Sequence, residues 1–135
     1  MADDLAAKGA AIQMQLWGEM AANAAQPVHP AAAIAPDFFG LVREFCFGMF
    51  WSRPGLAVRD RSLITVAMLA ALGKQDELRG HLMGARNVGL TQTEIVEALM
   101  QVAVYAGVPA AVAALTTAAG VFGTDTPSVT GEAAR

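Results

Sequence analysis

The sequence predicts an all-α fold of about six helices, contained in a single domain. Its 135 residues show almost no β-branched alternation, whereas alanine, leucine and methionine recur at helical spacing. A chain of this length has room for one hydrophobic core rather than two. We therefore expect one helical domain over residues 1–123 and no sheet. The tail over residues 124–135 has nothing to bury and is expected to be disordered.

The first two predicted helices are bounded by prolines. The first spans about residues 4–25 and ends before Pro27. The second opens at Pro36, because proline suits the first turn of a helix. Its apolar residues recur at i, i+3 and i+4 intervals, which predicts a stripe that lies either in the core or at an interface: Phe38, Leu41, Val42, Phe45, Cys46, Met49 and Phe50.

The third predicted helix is strongly apolar and the fourth is polar. The third starts near Arg59, is apolar on every side over residues 63–72, as a buried central helix should be, and stops at Gly73. The fourth covers about residues 75–88 and ends at Gly89, which suits a left-handed cap. A polar helix between two apolar ones either faces solvent or lines a cleft between chains.

The last two helices have clear start signals. Thr91 and Glu94 form a capping box for the fifth helix, because a threonine followed three residues later by glutamate satisfies two free N–H groups. Pro109 opens the sixth. The fifth helix is expected to bury Ile95, Leu99, Val102 and Ala103.

Composition excludes several functional classes. A net charge of −3 without a run of lysine or arginine leaves no electrostatic footprint for nucleic acid or anionic lipid. The apolar run over residues 63–72 is about half of the roughly 20 residues that cross a membrane. The single cysteine, Cys46, excludes an intrachain disulfide and a cysteine-based metal site. The first residues lack the pattern of a secretory signal, so a cytoplasmic location is expected.

The apolar content predicts self-association. Hydrophobic residues make up 55% of the chain, and the mean hydropathy is +0.42. This is more apolar material than a small monomer is expected to hide, and surplus apolar surface needs a partner. Small molecules and other protein chains therefore remain as the expected partners.

Glu77 and His81 are the central candidates for chemistry. They stand four residues apart, so they share one face of the fourth helix. A neighbouring carboxylate would favour the protonated imidazole and orient the ring, which would suit a general acid. The alternative interpretation makes Glu77 a solvated surface residue and His81 a histidine bonded to a backbone carbonyl.

Four further residues are candidates for substrate binding. Arg59 and Arg61 lie at the start of the third helix, where a guanidinium could bind a carboxylate, although a solvated helix start explains them equally well. Trp51 and Tyr105 could stack on a substrate, but such residues more often belong to a core. No metal site is indicated.

Several short motifs stand in a fixed order and spacing along the chain: Trp51 to Leu56, Arg59, Arg61 to Leu63, His81, Gly89, Val104-Tyr105 and Gly107 to Ala111. In these motifs the chain resembles the carboxymuconolactone decarboxylase family, from about Gly40 to Phe122. The resemblance implies an alkylhydroperoxidase D-like helical fold whose subunits associate through apolar faces into trimers or hexamers.

The resemblance also separates two branches of this fold. The peroxidase branch uses a Cys-x-x-Cys pair, whose places here are taken by Lys74 and Glu77, and disulfide chemistry needs two thiols. The decarboxylase branch removes CO₂ from 4-carboxymuconolactone without a cofactor. It implies a lyase in which His81 donates a proton or stabilises a dienolate, Glu77 tunes His81, and Arg59 or Arg61 anchors a carboxylate.

Departures from the family pattern leave other functions open. Polar residues common in the family are replaced at Gln13, Met14, Met49, Val88, Val112 and Thr116. A less polar pocket suits a less charged substrate or less proton transfer. The alternatives are therefore an enzyme for isomerisation, proton transfer or ring chemistry on a more apolar substrate, and a non-catalytic oligomer that binds a ligand.

Overall fold

The computed structural model describes residues 2–18 and 29–123, and their regular elements are all helical. The predicted fold class is confirmed, whereas the predicted tail lies outside the described residues. In chain order the elements are α1 (Ala2–Trp17), a 3-10 turn (Pro30–Ala33), α2 (Phe38–Val42), a π-helix that continues it (Arg43–Trp51), α3 (Val58–Leu72), α4 (Gln75–Asn87), α5 (Gln92–Ala106) and α6 (Val108–Phe122).

Most helix ends lie where the sequence predicts them. Gly73 ends α3 in the left-handed conformation, with φ +73°. Both hydrogen bonds of the capping box between Thr91 and Glu94 are present at the start of α5. The predicted first helix is too long, because α1 ends at Trp17 and Gly18 has φ +54°. The remainder of that predicted helix, residues 19–25, lies outside the described part.

The main core lies between the four helices that follow residue 57. Helix α4 packs on α3 and α6, and α5 packs on α3 and α6. Burial of apolar surface is the chief stabilising contribution to such a core, at roughly 25 cal/mol per Å² removed from water. Its buried residues are Val66, Ala70, Leu78, Leu82, Ala85, Leu90, Ile95, Leu99, Val102, Ala111, Ala114 and Ala118.

The chain length predicts one core, but a second, smaller core joins α1 to the π-helix. It is formed by Ile12, Leu16 and Phe47, all buried. The two helices approach closely at glycines: a Cβ on Gly9 would collide with the carbonyl oxygen of Arg43, and a Cβ on Gly48 with that of Leu5. Since glycine has no Cβ, the two backbones can lie in direct contact along this crossing.

One prediction about an apolar face is wrong, whereas the stripe predicted for the core or an interface is mostly exposed in the single chain. Helix α3 is not buried on every side, because Ile64, Met68 and Leu72 are exposed along one face. In the stripe of the second predicted helix, Val42 and Cys46 are half-buried while Phe38, Leu41, Phe45, Met49 and Phe50 are exposed.

The buried residues of the π-helix are Phe47 and Gly48, and neither belongs to the predicted stripe. A π-helix has i+5 hydrogen bonds and more residues per turn than an α-helix, so the i, i+3, i+4 rule does not predict which of its side chains are buried.

None of the helices described here combines the length and the hydropathy that a membrane span requires.

Candidate active site

The imidazole of His81 lies among three aromatic rings, which we call the aromatic cage: Trp17, Phe47 and Trp51. The indole of Trp17 approaches it edge to face, with centroids 5.1 Å apart and planes inclined by 67°. Phe47 and Trp51 are nearly parallel to the imidazole, at 6.4 Å and 5.9 Å. One residue of α1 and two residues of the π-helix thus contact His81 on α4.

Local geometry explains how the cage is built. Phe47 and Trp51 stand four residues apart on the π-helix, and their ring centroids are 5.7 Å apart. Trp17 is the last residue of α1, and its Nε1 donates to the carbonyl oxygen of Gly80 on α4 at 2.8 Å. Such functional use of π-helical turns is frequent, because they place neighbouring side chains differently from an α-helix.

The cage keeps His81 neutral. Burial lowers the imidazole pKa from 6.5 to about 4, and the charge of Glu77 opposes this shift only in part. The expected direction of the Glu77 effect is therefore right, but burial outweighs it and the imidazole is uncharged at neutral pH. Within the described part, Nδ1 of His81 is buried without a hydrogen-bond partner.

Glu77 does not hold the imidazole in place. It is exposed, and no hydrogen bond or ion pair joins it to His81 among the described residues. The orientation expected from Glu77 comes instead from the aromatic cage. The alternative interpretation of His81, a bond to a backbone carbonyl, also has no counterpart among the hydrogen bonds of the described chain.

Trp51 and Arg61 line one cavity of about 150 Å³ beside the cage. The guanidinium of Arg61 spans the turn before α3: Nε donates to the carbonyl oxygen of Leu56 and Nη2 to that of Arg53, both at 3.1 Å. His81 does not line this cavity, but Trp51 touches both. The remaining lining residues are Phe50, Leu56, Ile64, Thr65 and Met68.

Sequence comparison identifies the family of this chain. Residues 36–119 match the model of the carboxymuconolactone decarboxylase family. The chain belongs to this family. That range includes Trp51, Arg61 and His81 but not Trp17, so one member of the aromatic cage lies outside the family match.

Three relatives are similar to this member of the carboxymuconolactone decarboxylase family. It is 46% identical over 86 residues to 4-carboxymuconolactone decarboxylase of Acinetobacter baylyi, covering 64% of each chain. It is 40% identical to nitrosuccinic acid decarboxylase of Metarhizium robertsii, over 56% of this chain and 52% of that protein. It is 32% identical to an uncharacterized 15.0 kDa protein of Paracoccus denitrificans, over 58% and 60%. The match thus spans less than two thirds of each relative.

Arg59 lies away from the Trp51 cavity in this family member. It pairs with Glu94 and, at 3.8 Å, with Asp60. It lines a different cavity with Gln15, Val58, Asn87, Val88 and Gly89. The bond from Arg59 and those from Thr91 hold the pKa of Glu94 below its usual value. Arg59 thus ties α3 to the capping box of α5.

Tyr105 is also separate from the aromatic cage. Its side chain is 86% exposed, so it is not a core residue. It borders an apolar groove between α3 and α5, lined mainly by alanines and by Met68, which also lines the Trp51 cavity. Among residues 2–18 and 29–123, no group of three or more histidine, cysteine, aspartate or glutamate side chains is placed to hold a metal ion.

Sequence analysis missed two members of the cage, Trp17 and Phe47. Trp17 reaches α4 across 63 positions of the chain, and a contact at that separation leaves no local periodicity. Phe47 was overlooked because it does not belong to the i, i+3, i+4 stripe, which assumes α-helical geometry. The presence of a tryptophan at the end of α1 was the one available signal.

Proposed function

We propose that this protein is a cofactor-free carboxy-lyase that acts on 4-carboxymuconolactone or a related small carboxylated lactone. The observation that carries the proposal is the neutral imidazole of His81, held in an aromatic cage beside a cavity that contains Arg61. Family membership and the decarboxylase names of two relatives support it. The chain matches these relatives over only part of their length, so the reaction itself is our proposal.

The proposed reaction needs one well-placed hydrogen-bond donor. When the C–C bond to the carboxylate breaks, CO₂ leaves and the electron pair becomes a dienolate whose charge rests on the lactone oxygen. A donor preorganised at that oxygen lowers the barrier, and a proton then returns to the ring carbon. A neutral imidazole with a lowered pKa is a suitable donor, because it stabilises an oxyanion without giving up its proton beforehand.

The tautomer of His81 follows from its surroundings. A neutral imidazole carries its proton on one ring nitrogen only. Nδ1 is buried without an acceptor, and an N–H without a partner is costly there, so the proton belongs on Nε2. His81 then presents a donor to the substrate. The charge of Glu77 raises the imidazole pKa without a direct bond. This favours protonation of His81 and so supports return of a proton to the ring carbon, the final step of the reaction.

We assign the carboxylate anchor to Arg61 rather than Arg59. Arg61 shares a cavity with Trp51, which contacts His81, whereas Arg59 is paired with Glu94 and lines another cavity. A guanidinium binds a carboxylate through directed hydrogen bonds. Trp51 lines this cavity and stacks on His81, so it contacts the imidazole and also borders the space for the anchored carboxylate.

A decarboxylation assay tests this proposal. Purified protein should release CO₂ from 4-carboxymuconolactone and remove the ultraviolet absorbance of the conjugated lactone. His81→Ala should lower kcat by about 10² to 10⁴-fold, the range usual for acid–base groups, and Glu77→Gln by less. His29→Ala is the matched control, because His29 is exposed and lies on the 3-10 turn. Absence of turnover at high enzyme concentration, or a normal rate in His81→Ala, would overturn the proposal.

The apolar lining of the Trp51 cavity supports a second candidate reaction. Phe50, Leu56, Ile64 and Met68 form much of its wall. Proton transfer or isomerisation on a more apolar substrate would suit this lining and would still use His81. The two candidates differ in CO₂ release, since an isomerase changes the absorbance of its substrate without producing gas.

We also propose that the protein forms a homo-oligomer, either the trimer or the hexamer that the family resemblance implies. Exposed apolar side chains follow α2, the π-helix, α3 and the junction of α5 with α6. Exposed apolar side chains favour association, because burying them removes apolar area from water. The main exposed residues are Phe38, Leu41, Phe45, Met49, Phe50, Ile64, Met68, Leu72, Val104, Tyr105, Val108 and Val112.

A further inference from the structure

We propose that Trp17 of α1 is a positioning residue, which holds the imidazole of His81 in its working orientation and shields it from water. This inference rests on the proposed function, because positioning matters only if His81 acts on a substrate. Trp17 lies outside residues 36–119, the range of the family match. The family match therefore does not include the residue to which we assign this role.

The indole of Trp17 is attached to the turn of α4 that carries His81. Its Nε1 donates to the carbonyl oxygen of Gly80, the residue before His81, at 2.8 Å. Its ring meets the imidazole edge to face at 5.1 Å and Phe47 edge to face at 5.6 Å. Edge-to-face packing is directional, so these two contacts fix the angle between the rings as well as their distance.

Glycine at position 84 makes room for this attachment. A Cβ on Gly84 would lie 3.3 Å from Nε1 of Trp17 and 3.2 Å from Cδ2 of Leu16. Those distances are tighter than ordinary packing, so a larger residue would push the end of α1 away from α4. The surface of α4 is thus shaped to receive Trp17 one turn after His81.

A second bond fixes the same end of α1. The side-chain amide of Asn87 donates to the carbonyl oxygen of Leu16 at 2.7 Å. That carbonyl belongs to the last turn of α1, where the helix itself supplies no donor. Together with the bond from Trp17 to Gly80, it ties the end of α1 to α4 on both sides of Gly84.

Ionisable side chains lie near the cage on three elements. Cys46, on the π-helix, packs against the small core. Glu77, on α4 itself, raises the imidazole pKa. Arg61 lies beyond Trp51, in the cavity. Removing the indole of Trp17 would therefore expose the imidazole chiefly to water, and its pKa should move up toward 6.5.

Two substitutions separate the functions of the indole. Trp17→Phe keeps an aromatic ring but loses the bond to Gly80, whereas Trp17→Ala also removes the shield. We expect Trp17→Ala to lower kcat by roughly 10 to 10²-fold, as misplaced catalytic groups do, with a much smaller change in KM. Trp17→Phe should lower kcat less. An NMR titration should show a raised His81 pKa in Trp17→Ala, with assignment aided by His29→Ala.

The matched control is Ile12→Ala. Ile12 is buried on α1 in the same small core, so its truncation should lower the melting temperature as a core deletion does. It makes no ring contact with His81, so the titration and the pH profile of kcat should stay as in the unaltered chain. If Ile12→Ala moved the pKa as much as Trp17→Ala, the role of Trp17 would be general packing and our inference would be wrong.

The outcomes distinguish this inference from the proposed function. An inactive unaltered protein contradicts the lyase proposal, while the His81 titration in Trp17→Ala still tests whether the indole shields the imidazole. An unaltered kcat and pKa in a folded Trp17→Ala protein contradict the positioning role even if the lyase proposal holds. If Trp17→Ala does not fold, Trp17→Phe provides the test. An unchanged kcat in Trp17→Phe would then overturn the inference.

Discussion

The indole of Trp51 stacks on the imidazole of His81, with centroids 5.9 Å apart and planes inclined by 22°. The same indole lines the cavity that contains Arg61. One side chain therefore belongs both to the environment that keeps His81 neutral and to the wall against which a ligand would rest. A ligand bound in this cavity would therefore rest against the ring that stacks on the imidazole.

Burial of a neutral histidine predicts a loss of stability in acid. The pKa of His81 is about 4 in the folded protein, against 6.5 for an ordinary histidine. Between these values the unfolded chain binds a proton that the folded chain does not, so stability rises with pH across this window. We expect the free energy of unfolding to fall by on the order of 3 kcal/mol as the pH drops from above 6.5 to 4.

Urea unfolding at pH 7 and at pH 4.5 measures this loss. His81→Phe removes the titrating group and should flatten the dependence on pH, although its absolute stability will differ. His29→Ala is the control, because it removes the chain's other histidine from an exposed position. An equal slope in His81→Phe and in the unaltered chain would show that other groups cause the acid loss.

Local signals in the sequence were sufficient to predict most of the helix ends. Gly73 and the Thr91–Glu94 capping box act within one turn, so their effect can be read without knowing the fold. The end of α1 at Gly18 was missed because the pattern in that segment is weak. The π-helix was missed because its shifted hydrogen bonds have no residue signature in an apolar stripe.

The candidate site depends on long-range packing, which the sequence reveals only in part. His81 could be singled out by its spacing from Glu77 and by family resemblance, but its neutral state arises from three rings on other elements. The two arginines, Arg59 and Arg61, stand two residues apart in the sequence. Helical geometry turns residues at this spacing to different faces, and the structure places them in different cavities.

The separation of the two arginines predicts different kinetic effects. Arg61→Gln should raise KM by roughly 10- to 100-fold, the value of one charge-assisted hydrogen bond. Arg59→Gln should leave KM nearly unchanged and lower the free energy of unfolding only slightly, because water screens its exposed ion pair with Glu94. Steady-state kinetics and thermal unfolding of both variants measure these effects.

Glu94→Gln provides the control for Arg59. A glutamine can still complete the capping box with Thr91, while the charge that engages Arg59 is removed. If Arg59 does not bind substrate, this release changes neither KM nor kcat. A lower KM in Glu94→Gln, together with a raised KM in Arg59→Gln, would instead identify Arg59 as the carboxylate anchor.

The exposed apolar surface predicts a change of oligomeric state when it is charged. Met68 on α3 is 52% exposed and Val104 on α5 is 70% exposed. A glutamate at either position would have to be desolvated in an interface, which is costly without a partner. We expect the unaltered protein to elute as an oligomer, and the Met68→Glu and Val104→Glu variants as smaller species, in light-scattering chromatography.

A glutamate outside the apolar surface controls for the added charge. Lys74 is exposed between α3 and α4, so Lys74→Glu should leave the oligomer intact. If the unaltered protein is a monomer at all concentrations, the proposed homo-oligomer is wrong. If Lys74→Glu dissociates it as strongly as Met68→Glu, net charge rather than the apolar surface controls assembly.

The crossing of α1 and the π-helix predicts that Gly48 cannot be replaced. A methyl group there would collide with the backbone carbonyl of Leu5, so α1 would have to move. We expect Gly48→Ala to cost about 1 to 3 kcal/mol of stability, as overpacking does, and to lift Trp17 from His81. Gly120→Ala is the control, because its Cβ enters open space on α6, and alanine there should stabilise the helix by about 0.5 to 1 kcal/mol. Urea unfolding compares both variants, and equal stabilities would contradict the close crossing of the two helices.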